Sequence, residues 1–258
     1  MKYRLVSLAL ASIFAGALMW SPTSATAQDS SSVSTFSRYA RYGADVWARN
    51  PAALIAGKGQ ACVSCHTSLP YALVEPLLEG EDPAYQDLLV GIDRRIMSWS
   101  TNTPWYSDET LEAFAGLDGL PPDALKPFLN APDSRGPEAV FNALIRATHD
   151  AYSGQTAQNE TRRAFENMWV EQVATGSAAG RWRWIQGNLV PWEVEDSDLW
   201  GASLACVAVS IFPDLAPQDK LGLLHATLSN AATAVEVSLH VKAALLWCDS
   251  ESKGEVLD

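Results

Sequence analysis

The chain has 258 residues, with 30 Asp and Glu against 18 Lys and Arg and a net charge of −12. So acidic a surface excludes non-specific binding to nucleic acid or to an anionic lipid surface. Few prolines or glycines interrupt the helical patterning between loops, and no convincing run of alternating apolar and polar residues predicts a sheet.

The first 27 residues predict an export signal. Lys2 and Arg4 open it, an apolar run follows from Leu5 to Trp20, and Ala25-Thr26-Ala27 offers a small-x-small cleavage site. The apolar core is shorter than the ~20 residues a spanning helix needs, and no later segment is long and apolar enough to cross a bilayer. Cleavage leaves 231 residues and removes two basic but no acidic residues, so the mature charge becomes −14. The expected location is periplasmic or secreted, with no stable membrane anchor.

Residues 28–34 are rich in serine and predict a disordered lead-in. Helices are then expected over 35–49, 69–79, 84–98, 109–117, 122–129, 137–152, 160–174, 197–211, 217–230 and 235–248. The clearest is 137–152, where Phe141, Leu144, Ile145, Thr148 and Tyr152 share one face. Asp133 and Ser134 are its cap candidates, and Pro137 suits a first turn. In 197–211, Trp200, Leu204, Val207 and Ile211 share a face, behind Asp196 or Ser197 as N-cap. The fold class is therefore all-α. Pro121-Pro122 and the loop 130–136 divide it softly into a region 35–130 and a region 131–258, with no long linker to keep them apart.

The pentapeptide Cys62-Val63-Ser64-Cys65-His66 has the spacing for covalent attachment of a c-type haem. Two thiols this far apart can each add to one vinyl group, and His66 can then offer an imidazole nitrogen to the iron. A redox dithiol would lie between a strand and a helix, and no strand pattern occurs here. A zinc site would need four ligands, and no second Cys-x-x-Cys or His pair follows at a suitable spacing. One covalent haem c, held by Cys62, Cys65 and His66, is the expected cofactor. The mature chain offers Met97, Met168, His149, His225 and His240 for the sixth position. Met97 is the first choice, beside Arg94, Arg95 and Trp99. Cys206 and Cys248 remain; they could pair in an oxidising compartment or stay as two buried thiols.

Most of residues 40–250 resembles something known. Cys62-Val63-Ser64-Cys65-His66-Thr67-Ser68-Leu69-Pro70-Tyr71, Ser134-Arg135-Gly136-Pro137-Glu138, Phe165-Glu166-Asn167-Met168-Trp169, Gly180-Arg181-Trp182-Arg183-Trp184, Pro191-Trp192-Glu193 and Gly201-Ala202-Ser203-Leu204-Ala205 follow in order. Together they resemble an exported bacterial family that joins a Cys-x-x-Cys-His segment to a region similar to squalene–hopene cyclases and prenyltransferases. The resemblance implies a cytochrome c-like helical segment packed on part of an α/α toroid. Within it, Gln172…Gly180-x-Trp182 is similar to one of the Gln/Trp repeats of such cyclases. The Asp-x-Asp-Asp acid of the cyclases is missing. The nearest acidic run, Glu193-Val194-Glu195-Asp196-Ser197-Asp198, precedes a helix and fits capping and dipole complement instead. The toroid is also expected to be short, because the chain reaches Asp258 soon after Trp247.

These features predict a periplasmic carrier of single electrons, with a redox partner protein drawn to the acidic surface and therefore basic. The alternatives are a haem-dependent oxidoreductase acting on a small apolar, isoprenoid-like molecule, and a cyclase-like binding module without catalysis.

Overall fold

The structure is a computed structural model that describes residues 30–49, 63–65, 67–77, 82–105, 134–185, 196–233, 241–242, 244–246 and 248. Among these residues helix dominates, and the strand content is one isolated bridge between Gln172 and Trp182. The expectation of an all-α chain holds. The expected helices at 109–117 and 122–129, and the boundary near 131, lie outside the described residues.

Helix α1 (Ser30–Ala48) starts five residues earlier than expected, inside the stretch read as a disordered lead-in. Extending a helix that already has a nucleus adds a hydrogen bond per residue, so serines at its entry are tolerated. Helix α2 (Ser68–Val74) ends in a 3-10 turn, Glu75–Leu77. Helix α3 (Pro83–Met97) has the expected start: Pro83 at N1, and Asp82 accepting a hydrogen bond from the Ala84 N–H at 3.0 Å. Arg94 and Arg95 complement the dipole in its last turn.

Helix α4 (Arg135–Tyr152) is the axis of the fold, and fifteen of its eighteen residues are buried. It packs on α2, on α5 (Asn159–Glu171) and on α6 (Ser197–Ile211). The expected apolar face is there, with Phe141, Leu144, Ile145 and Thr148 all buried. The polar stripe that adjoins it is buried as well, which the periodicity did not predict. Glu138, Asn142, Arg146 and Asp150 recur every fourth residue along it. Charges persist in such a place only if paired. Glu138 forms a two-pronged ion pair with Arg95 of α3, and Arg146 lies between Asp93 of α3 (3.5 Å) and Asp150 (3.3 Å).

Asp150 has a second task. Its carboxylate accepts the Gln158 N–H at 2.8 Å and the Thr161 hydroxyl at 2.5 Å, so α4 supplies the N-terminal cap of α5. Helix α5 stops at Glu171, three residues short of expectation, because Gln172 leaves the helix to pair with Trp182. The Gln172 amide donates to the Lys220 carbonyl of α7 (Gln218–Thr233) at 3.1 Å. The Trp182 indole N–H donates to the Met168 carbonyl at 2.7 Å. Gly180 closes this loop at φ +83°, and a Cβ there would run into the Leu223 carbonyl of α7.

Helix α6 matches the expected span and is apolar nearly all round, as a fully buried helix must be. Trp184, Trp200 and Phe141 meet edge to face with centroids 5.5–6.1 Å apart. Gly201 lets α6 approach this cluster, since any side chain there would enter the Trp184 ring. Cys206 of α6 is bonded to Cys248, with Cα atoms 5.5 Å apart, so of the two open readings the disulfide is the one found.

Candidate functional site

The described part of the Cys-x-x-Cys-His segment, residues 63–65, is tied to the helix that follows it. The Ser64 N–H donates to the Ser68 hydroxyl at 2.6 Å, and the Leu69 N–H donates to the Ser64 carbonyl at 2.9 Å. Val63, Ser64 and Cys65 are buried, as is every residue of α2. Pro70 sits in the first turn of α2, where its missing N–H costs nothing.

A polar clamp holds α2 between its neighbours. Arg41 of α1 binds both carboxylate oxygens of Glu75, at 2.6 and 3.1 Å, and lies 3.1 Å from Asp82 at the head of α3. The Tyr71 hydroxyl donates to the same Asp82 at 2.7 Å. The hydrogen bonds that Arg41 donates to Glu75 raise the Arg41 pKa, and burial followed by the Asp82 bond pushes the Tyr71 phenol well above its ordinary value. Three elements are thus fixed around the segment by four side chains.

Of the expected haem ligands, Cys62 and His66 lie outside the described residues. Cys65 is buried where α2 begins. Met97 is the last residue of α3 and is 51% exposed, so it does not fill the core. Met168 is fully buried beneath Trp182 and belongs to the core of the second region. His149 sits on α4 with Nδ1 3.0 Å from the Tyr85 hydroxyl of α3, and Tyr85 meets Tyr71 of α2 edge to face. Burial, with Arg146 nearby, lowers the His149 pKa. His225 is exposed on α7, and His240 lies outside the described residues.

This separates two ligand candidates that the sequence left side by side. Tyr85, the partner of His149, is near the head of α3, and Met97 is twelve residues on, about 18 Å along the axis. Among the described contacts, His149 is linked to α2 through Tyr85 and Tyr71, and Met97 is not.

The surroundings suit an apolar macrocycle. A Cβ on Gly43 of α1 would stand 3.7 Å from the side chain of Thr67, the residue after His66. Bordering Gly43, the α1 face carries Tyr39 and Tyr42, 73% and 67% exposed, and then Val46. These recur at i, i+3 and i+7 as an uncovered apolar stripe. Thr67 Oγ1 is itself buried and has no hydrogen-bond partner among the described residues. A buried Cys65 thiol and an uncovered aromatic face on α1 are chemistry that a covalent haem would use.

The acidic run before α6 has a structural task where it is described. Asp198 pairs with Arg181 at 3.1 Å, tying the Trp182 loop to α6. What sequence reasoning missed is the paired stripe on α4. Four polar residues at every fourth position could have flagged it, but that spacing is also the mark of a solvated helix face.

No family model matches the chain. No curated protein matches it, and no solved structure does.

Proposed function

We propose that the chain is an exported mono-haem c protein that passes single electrons to and from a partner. The reading rests on Cys62-Val63-Ser64-Cys65-His66, with its described thiol, Cys65, buried at the head of a helix clamped on both sides. Each thiol adds across one vinyl group, sulfur to one carbon and proton to the other, with no oxidant consumed. His66 would offer the iron an imidazole nitrogen. When bound, the haem would supply a one-electron iron couple whose potential follows its protein ligands. Met97 would be the other ligand, as an exposed thioether. His149 would be its rival, with Nδ1 3.0 Å from the Tyr85 hydroxyl. The disulfide Cys206–Cys248 supports an oxidising compartment.

The second region is read as part of an α/α toroid of the cyclase kind. The Gln172–Trp182 clamp supports this, since it ties the end of α5 to α7 as stacked helical layers require.

The test is expression with the cytochrome c maturation apparatus, followed by a pyridine haemochrome assay and intact mass. One haem per chain, lost in Cys65→Ala, is the expected result. A colourless product at the mass of the bare polypeptide would overturn the reading. Met97→Leu and His149→Phe then decide the sixth ligand. The variant whose spectrum turns high-spin, and which binds carbon monoxide rapidly when reduced, has lost it.

A further inference from the structure

The Cys206–Cys248 disulfide walls a half-open cavity of about 580 Å³ between α6, α7 and the last described helical residues. That volume lies within the range of small-molecule sites, about 300–1,000 Å³. Its floor is aliphatic: Leu228 and Ala231 from α7 and Leu245 from the last helical stretch. Leu246 stands at the rim, 60% exposed. The polar groups at the cavity are different in kind. Lys242 and His225 reach it, together with the Ser229 hydroxyl, and no carboxylate is among the described residues that line it. In a chain with net charge −12, the described polar groups at this cavity, an ammonium, an imidazole and a hydroxyl, are a local reversal of sign.

We propose that this cavity binds a single-chain amphiphilic carboxylate of the fatty-acid type. The alkyl chain lies on Leu228 and Leu245, and the carboxylate is held at the mouth by the Lys242 ammonium with His225 donating beside it. The covalent bond between Cys206 and Cys248 fixes two of the walls before the ligand arrives, so little ordering is required of them on binding. The site is independent of haem attachment and of the electron-transfer reading.

The probe is dodecanoate, titrated calorimetrically into the mature haem-loaded chain below its critical micelle concentration, with 1-dodecanol as the uncharged control. One saturable site is expected, tighter for dodecanoate than for the alcohol by tenfold or more. Across decanoate, dodecanoate and tetradecanoate, affinity should rise about threefold to fourfold per methylene until the cavity is full. Lys242→Met should weaken dodecanoate at least tenfold and leave dodecanol unchanged. Ala232→Trp, which fills the cavity from an exposed position, should abolish both while the far-ultraviolet spectrum stays native. Non-saturable uptake by the wild-type chain, equal affinity for acid and alcohol, or unchanged binding in both variants would overturn the proposal.

Discussion

The Tyr85 hydroxyl and His149 Nδ1 meet at 3.0 Å across the contact between α3 and α4. Burial holds the His149 pKa below its ordinary 6.5, with Arg146 adding to the effect. The unfolded chain therefore binds more protons than the folded one between the lowered value and about 6.5. Stability is full above that pH and declines as pH falls through the window. Thermal melts from pH 7.5 to 5.5 should show this decline, and His149→Gln should flatten it. An equally steep decline in the variant would assign the effect to other groups.

The Arg95–Glu138 pair joins α3 to α4 with the carboxylate fully buried. Removing one member strands the other, which costs about 3–5 kcal/mol. Arg95→Met should lose stability on that scale in urea titrations. Arg95→Met combined with Glu138→Leu should recover most of it, because neither charge is then left inside.

In the Trp182 loop, Trp182→Phe keeps most of the buried ring and deletes the N–H that satisfies the Met168 carbonyl. An acceptor left unpaired inside costs about 1–3 kcal/mol. The midpoint of denaturation should fall accordingly, with little change in its slope. A shift smaller than about 0.5 kcal/mol would mean that the hydrogen bond contributes little here.

Cys206 and Cys248 are 42 residues apart. Closing a loop of that length stabilises the folded chain by about 4 kcal/mol in the chain-entropy model. Dithiothreitol should lower the melting temperature of the wild-type chain and leave a Cys206→Ser, Cys248→Ser double variant unmoved. Equal response of both proteins would show that the reductant acts elsewhere.

Much of the helical architecture is written plainly in the chain. Asp82-Pro83 marks the head of α3, and the apolar period through Phe141, Leu144, Ile145 and Thr148 locates α4. The buried side of α4 is illegible for a physical reason. Glu138 and Arg146 look solvated until Arg95 and Asp93, more than forty residues upstream, arrive to pair with them. The end of α5 is misplaced for a similar cause, since nothing local tells that Gln172 prefers the Lys220 carbonyl to another helical turn. At the candidate site, spacing alone singles out Cys62, Cys65 and His66, of which Cys65 lies among the described residues. The clamp of Arg41, Tyr71, Glu75 and Asp82 that steadies α2 is not legible, because it gathers side chains from three separate helices.

Helix α4 has consequences for inheritance as well as for packing. One flank is closed by Trp184 and Trp200, and the other by charges that neutralise Arg95 and Asp93. A chain cut near residue 131 would uncover the side of α2 that packs on α4, and Glu138 and Arg146 would lose Arg95 and Asp93 as partners. A lineage that separated the two segments would have to rebuild that seam.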